Sequence, residues 1–512
     1  MSDLLLFSPK EARTWDSIAI LWEKPNEADS SALYEIYVDG IKAAVTKNTD
    51  ETLCGLESDK EYVIQVRTEK GQESNQITVR TKAEGKRYDV TSYGAVGDGM
   101  TVNTSFIQKA IDECEPGGIV YVPNGVYITG GIFLKSDMTL YVEKDAVLMG
   151  SSDIKDYPVY RYRYEGKEQM AFASLINMPS IVPDHWKPDD ERYKPGRERA
   201  EHMCLWRDVT ICGGGILNAN GAALFEKEMA MKPQGIVRGR AVSIRNTDGV
   251  YLYDITIRNA PAWCTHPTYC RNLSANKVRI YNKFDESGKP YAVPNADGLN
   301  PDSCQGVNIF NCFIESEDDC IAIKSGNNEE GRRVGIPTTD VRISNCRFSE
   351  GFGVAMGSEM AGGIEDVKVY DCEFKNSFSL ASVKNMRGRG SVIERVSYEN
   401  IRFVNHSTEF HDCKWFRGAI YVDQFYATDD EKLDVNTPVD VSDGTPTIRD
   451  ISFRNIDLET IAGNAIYLCG LPERHLKGIV LENVKAKGKY GMKAYNIDGL
   501  VQKNVTVTAF DE

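Results

Sequence analysis

Short apolar segments that end in asparagine or aspartate recur through the second half of this chain. They close at Asn311, Asn345, Asp371, Asn400, Asn455 and Asn483, at intervals of 34, 26, 29, 55 and 28 residues. Each reads like Val307-Asn308-Ile309-Phe310-Asn311, with alternate side chains apolar, the mark of a strand buried on one face. One such strand cannot bury its apolar face alone, but stacked copies bury a continuous core. Asparagine tolerates the left-handed backbone of a tight corner, and its amide can bond its equivalents above and below. The repeat therefore predicts an all-β fold, a right-handed parallel β-helix, in which parallel crossovers take their usual hand. Leucine-rich repeats and propellers fit worse, because neither their leucine spacing nor a Trp-Asp signature is present.

A solenoid needs a closed end. Residues 103–114 place Phe106, Ile107, Ala110 and Ile111 on one helical face ahead of the apolar run 118–123, which predicts an N-terminal helix capping the core. Residues 153–201 and 406–447 interrupt the repeat; the first carries Tyr157, Tyr160, Tyr162 and Tyr164 and a charged tract over 187–199. Insertions of this kind are expected to form walls over one face of the solenoid.

The chain has 512 residues, 41% of them hydrophobic, and a formal net charge of −15. Such a length calls for two domains or for one domain and a repeat array. The negative balance argues against nucleic acid and anionic membrane as partners, and no segment has the apolar length of a membrane span. The 13 cysteines form no Cys-x-x-Cys, and Cys312, Cys346 and Cys372 recur at matched repeat positions. They read as reduced thiols stacked in a ladder. The histidines do not cluster with them, so no metal or other cofactor is implied. The N-terminus lacks the basic leader of a signal peptide, which leaves a cytoplasmic protein or a secreted one whose signal lies outside this sequence.

Residues 1–84 read as a separate β-sandwich, with alternating runs over 17–22 and 34–38, a turn at Asp39-Gly40 and a further stretch over 56–66. This segment resembles a fibronectin type III domain, with Trp22 at the core tryptophan and Leu56 and Tyr62 at the leucine and tyrosine corner. The solenoid is assigned to residues 88–512.

The chemistry is carried by Asn295-Ala296-Asp297-Gly298 and Glu317-Asp318-Asp319-Cys320. Coils stack about 4.8 Å apart. Repeat spacing puts Asp297, Asp318, Phe352 and Lys384 in one column facing one groove. Carboxylates one or two rungs apart span the range used by inverting glycosidases, in which one donates a proton and its neighbours activate water.

These motifs resemble those of glycoside hydrolase family 28, the polygalacturonase family. Asn295-Ala296-Asp297, Asp318-Asp319, Gly357-Ser358-Glu359-Met360, Arg387-Gly388-Arg389-Gly390 and the stretch from Pro261-Ala262-Trp263 to His266-Pro267 follow the family's order. The resemblance implies an inverting hydrolase acting on pectic carbohydrate, with Asp318 as acid and Asp297 and Asp319 deprotonating the water. Two positions depart from it. The family's Gly-His-Gly reads Gly351-Phe352-Gly353, and its Arg-Ile-Lys reads Ser382-Val383-Lys384, so one arm of a cationic clamp is absent. Phe352 is expected to stack on a sugar face. Lys324, Lys384, Glu359, His266, Tyr426 and Arg332 complete the expected substrate contacts. Exo action on oligosaccharides is the leading expectation, with rhamnogalacturonan or substituted pectin as alternative substrates. The competing classes are an eliminase on the same scaffold and a non-catalytic carbohydrate-binding β-helix.

Overall fold

The computed structural model describes residues 4–24, 33–179, 204–407, 416–429 and 432–510. From Arg87 onward the chain winds as a parallel β-helix with three strands per coil. One aliphatic ladder defines its first face. Met138, Val209, Val250, Leu273, Val307, Val341, Val367, Val396, Ile451 and Ile479 follow one another in register. All are buried, and each such side chain contributes about 1.5–3 kcal/mol of transfer free energy. The second face continues each strand past the corner; in later coils the two merge into long bent strands such as Val392–Asn405 and Thr447–Thr460.

The corner is the expected asparagine ladder. Asn311, Asn345, Asp371, Asn400, Asn455, Asn483 and Asn504 all have φ between 52° and 55°. Asn400 donates to Asp371 at 3.2 Å, Asn455 to Asn400 at 3.0 Å, Asn483 to Asn455 at 3.0 Å and Asn504 to Asn483 at 2.9 Å. Cys312, Cys346 and Cys372 stack one residue inside it as buried free thiols.

The third face carries the site. Its strands Val242–Arg245 and Thr265–Thr268 connect through isolated bridges at Leu299 and Asp302 to Ile321–Ile323, and the face continues through Val354–Met356, Ala381–Lys384 and Gly418–Asp423. The helix Thr104–Glu113 caps the first coil with Ile107, Ala110 and Ile111 buried. Within the first insertion, Val159–Tyr164 and Lys167–Phe172 form an antiparallel hairpin. The charged tract 187–199 lies outside the described residues.

Ahead of the solenoid, a three-stranded and a four-stranded antiparallel sheet enclose Trp22, Tyr34, Ile36, Ile64 and Val66. The Tyr62 hydroxyl accepts the Glu57 N–H at 2.8 Å, closing the tyrosine corner. The sandwich docks on the asparagine corner through Ala12, Ala19 and Leu21 against Tyr251 and Phe310. At its centre Asp50 accepts the side-chain amides of Asn311 and Asn345. Burial pushes the Asp50 carboxyl up to about 7, with the two amides opposing the rise.

A carboxyl raised in the folded state contributes stability that is full at low pH and is lost as pH rises through about 7. Urea unfolding at pH 5 and pH 8 should therefore show a smaller pH dependence for Asp50→Asn than for the parent chain. Equal pH dependence in the two would contradict this placement of Asp50.

Candidate active site

Three carboxylates meet where the chain enters the third face. The Gly298 N–H donates to the Asp319 carbonyl at 2.9 Å, the Leu299 N–H donates to Cys320 at 3.0 Å, and Leu299 bridges Ile321. Asp297 is thus in register with Asp319, one rung or about 4.8 Å away along the stack, and Asp318 precedes it. Gly298 is obligatory, because a Cβ there would lie 2.2 Å from the Cys320 carbonyl oxygen. Gly351, at φ +53°, would bring a Cβ to 2.1 Å from the Asp318 carbonyl oxygen. The two glycines let neighbouring coils close on the Asp318 loop from both sides.

The expected single column is two columns. Asp297, Asp319 and Phe352 follow one another at the entry edge, as the registers Leu299↔Ile321↔Val354 require. Lys324 and Lys384 share a different column at the exit edge, on either side of Gly357 and followed by Asp423. Spacing arithmetic missed this because the loops between strands differ in length. Lys384 still joins the carboxylates, because its long side chain reaches back across the face. Its Nζ lies 2.7 and 2.6 Å from the two Asp319 oxygens.

Burial raises the Asp319 carboxyl to about 6, against the pull of Lys384 and with the push of Asp318. It raises Asp297 well above the usual range, and the nearby Asp318 adds to this while Lys324 opposes it. The Asp297 side chain is held by Asn300, whose amide donates to Oδ2 at 2.7 Å; its Oδ1 has no hydrogen-bond partner among the described residues. Asp318 is the half-exposed member of the trio. Its Oδ1 accepts the Asp319 N–H at 2.9 Å and its Oδ2 faces the Asn295 amide nitrogen at 3.4 Å. Such a cluster has two buried carboxyls raised above the usual range and one accessible carboxyl, which are the parts of general acid–base catalysis.

Lys324 is paired with Glu359 at 2.8 Å and stands over the Trp263 ring, 4.5 Å from its centroid. Glu359 is held below the usual carboxylate range; burial opposes this and the Lys324 charge overcomes it. Tyr426 flanks Lys384, whose Nζ is 5.7 Å from the ring centroid. These predicted residues converge on the carboxylates.

Three others do not contact the groove as expected. Phe352 is 2% exposed and packs into an apolar cluster with Phe378, Phe416 and Ala462, so its ring backs the site rather than meeting a sugar. His266 is fully buried, between Tyr162 and Trp263. Burial lowers it to about 4 against the pull of Asp302, so it is a neutral prop beneath Trp263. Arg332 donates to the carbonyls of Gly388 and Arg389. It fixes the loop carrying Arg389, whose Nε donates to the Ser358 carbonyl at 2.7 Å. Ser382 is fully buried beside Tyr421 and bonds the Ser379 hydroxyl at 2.5 Å.

Tyr164 lies in the insertion expected to form a wall and Trp263 in a motif stretch, but the sequence did not show that the two side chains meet. Their rings stack at 5.2 Å with planes 7° apart, and the Arg240 guanidinium packs on both. The alternation of Tyr160, Tyr162 and Tyr164 was the available signal of a strand with an aromatic face. Among the described residues no group of three or more potential metal ligands occurs, and no helix is long and apolar enough to cross a membrane.

Residues 203–506 match the sequence profile of glycosyl hydrolases family 28. Residues 88–160 match a profile described as rhamnogalacturonase A/epimerase, pectate lyase-like. The chain is 30% identical to a probable polygalacturonase of Vitis vinifera over 410 residues, 77% of this chain and 73% of that one. It is 24% identical to an exo-poly-alpha-D-galacturonosidase of Dickeya chrysanthemi, with 92% and 85% of the two chains covered. Its fold is similar to that of a family 28 exopolygalacturonase of Yersinia enterocolitica, with a TM-score of 0.74 at 20% identity over 98% of this chain and 96% of that one.

The ion pair makes a titration prediction. Lys384 pulls the Asp319 carboxyl down, so Lys384→Met should move its midpoint, followed by carboxyl carbon-13 NMR, above the about 6 of the parent. An unchanged midpoint would contradict the pairing.

Proposed function

The chain belongs to glycosyl hydrolases family 28, and on that premise we propose that it hydrolyses pectic galacturonides from a chain end with inversion of configuration. The observation that carries this reading is the trio Asp297, Asp318 and Asp319 on adjacent rungs, ringed by Lys324 and Lys384. Asp318 is the accessible carboxyl and acts as acid, protonating the leaving glycosidic oxygen. Asp297 and Asp319 lie behind it and hold and deprotonate the water on the opposite face of the sugar. Each lysine keeps donor capacity beyond its carboxylate partner, since an ammonium has three N–H groups. These donors suit a sugar carboxylate, which is the charged group that separates a galacturonide from a neutral sugar.

Exo action is supported by the hairpin Val159–Tyr164/Lys167–Phe172 and the Tyr164–Trp263 wall, and by the names of the Dickeya and Yersinia proteins. A second reading, a substituted or rhamnose-containing pectin, is favoured by one observation. Ser382 and Phe352 present no cation at their edge of the site, and the space beside Ser382 is taken by Tyr421.

Asp318→Asn should lower turnover by about 10²–10⁴-fold with the thermal midpoint unchanged. Near-parent turnover on the true substrate would overturn the role of Asp318. On polygalacturonate, short products should accumulate before viscosity falls. Early viscosity loss would remove the exo reading, and activity confined to rhamnogalacturonan oligosaccharides would select the second one.

A further inference from the structure

We infer that Arg238 is a positioning residue for Asp318, acting through Asn295, and that it ties the inserted hairpin to the acid. The inference rests on the proposed role of Asp318. Arg238 is 6% exposed and lies between the hairpin and the motif loop. Its Nη1 donates to the carbonyls of Pro261 at 3.1 Å and Pro294 at 2.7 Å. Its Nη2 donates to the Tyr164 hydroxyl at 3.1 Å and to Asn295 Oδ1 at 2.9 Å. The Phe225 ring packs against the guanidinium, 5.3 Å from its centroid. One planar group thus gathers the Trp263 loop, the loop of Asn295 and the hairpin.

The consequence for Asp318 follows from donor counting. A guanidinium only donates. Asn295 must therefore turn its carbonyl oxygen to Arg238, which leaves its amide nitrogen facing Asp318 Oδ2 at 3.4 Å. Asn295 is itself exposed, at φ +57°. As a carboxylate Asp318 also selects the amide nitrogen, but once Asp318 is protonated Arg238 is the one contact, among those described for this side chain, that holds the orientation. With Arg238 gone, the amide is free to flip and to accept the Asp318 O–H through its oxygen. Asp318 would then lose the second of its two donors, the first being the Asp319 N–H. These donors stabilise the charge that Asp318 acquires when it gives up its proton, so the effect falls on the chemical step. Tyr164 extends the chain of contacts to the wall formed with Trp263.

The test is a kinetic double-mutant cycle in the full chain. Arg238→Lys and Asn295→Ala should each lower kcat by about ten- to a hundredfold with KM changed less than threefold, and Arg238→Lys should have no further effect on kcat in the Asn295→Ala background. Tyr164→Phe, which keeps the ring stack, should lower kcat modestly, and this too should vanish without Asn295. Additive losses, or a change confined to KM, would overturn the inference and leave Asp318 as acid untouched. Unaltered turnover by Asp318→Asn would instead remove the reading beneath it. If Arg238→Lys does not fold, the Tyr164→Phe and Asn295→Ala pair decides in the same way.

Discussion

Register between adjacent coils is the constraint on which everything else rests. A parallel ladder bonds each strand to the next at about 4.8 Å, and a slip of one residue would turn every inward side chain outward. Ten aliphatic side chains in line on the first face fix that register, and the asparagine ladder repeats it at each corner. Asp297 faces Asp319 for this reason and no other. Gly298 and Gly351 then allow the coils to approach closely where a side chain would hold them apart.

Burying acids in such a stack is costly, and the site offsets the cost with two lysines from one column. Lys384 neutralises Asp319 and Lys324 neutralises Glu359. Removing either member of such a buried pair typically costs about 3–5 kcal/mol, so these pairs shape the site and also hold it. They leave Asp318 as the one member of the trio with access to solvent. Phe352, Phe378 and Phe416 lie behind it and keep the local surroundings apolar, which strengthens each charge interaction in front of them.

Much of this was legible in the sequence. Strand segments, corner asparagines, the cysteine ladder and the capping helix all follow from local periodicity and turn chemistry, and strands 17–22 and 34–38 were read at their observed limits. The carboxylates, Lys324, Lys384, Glu359 and Tyr426 were read as one site and do converge. What failed depended on loop length and on side-chain direction. Lys384 sits in another column and arrives by reach, not by register. Phe352, His266 and Arg332 have the chemistry of ligand contacts, but burial and existing partners commit them elsewhere. The wall of Tyr164 and Trp263 and the placement of Arg238 join segments far apart in the chain, and no local pattern encodes which distant elements will touch.

The chemistry proposed for these carboxylates is decided most directly by the configuration of the first product. Proton NMR during early turnover reads the anomeric signal before mutarotation. Inversion predicts that the anomer opposite to the cleaved linkage appears first and then equilibrates. First appearance of the retained anomer, or of an unsaturated sugar, would contradict a water activated by Asp297 and Asp319 opposite the acid Asp318.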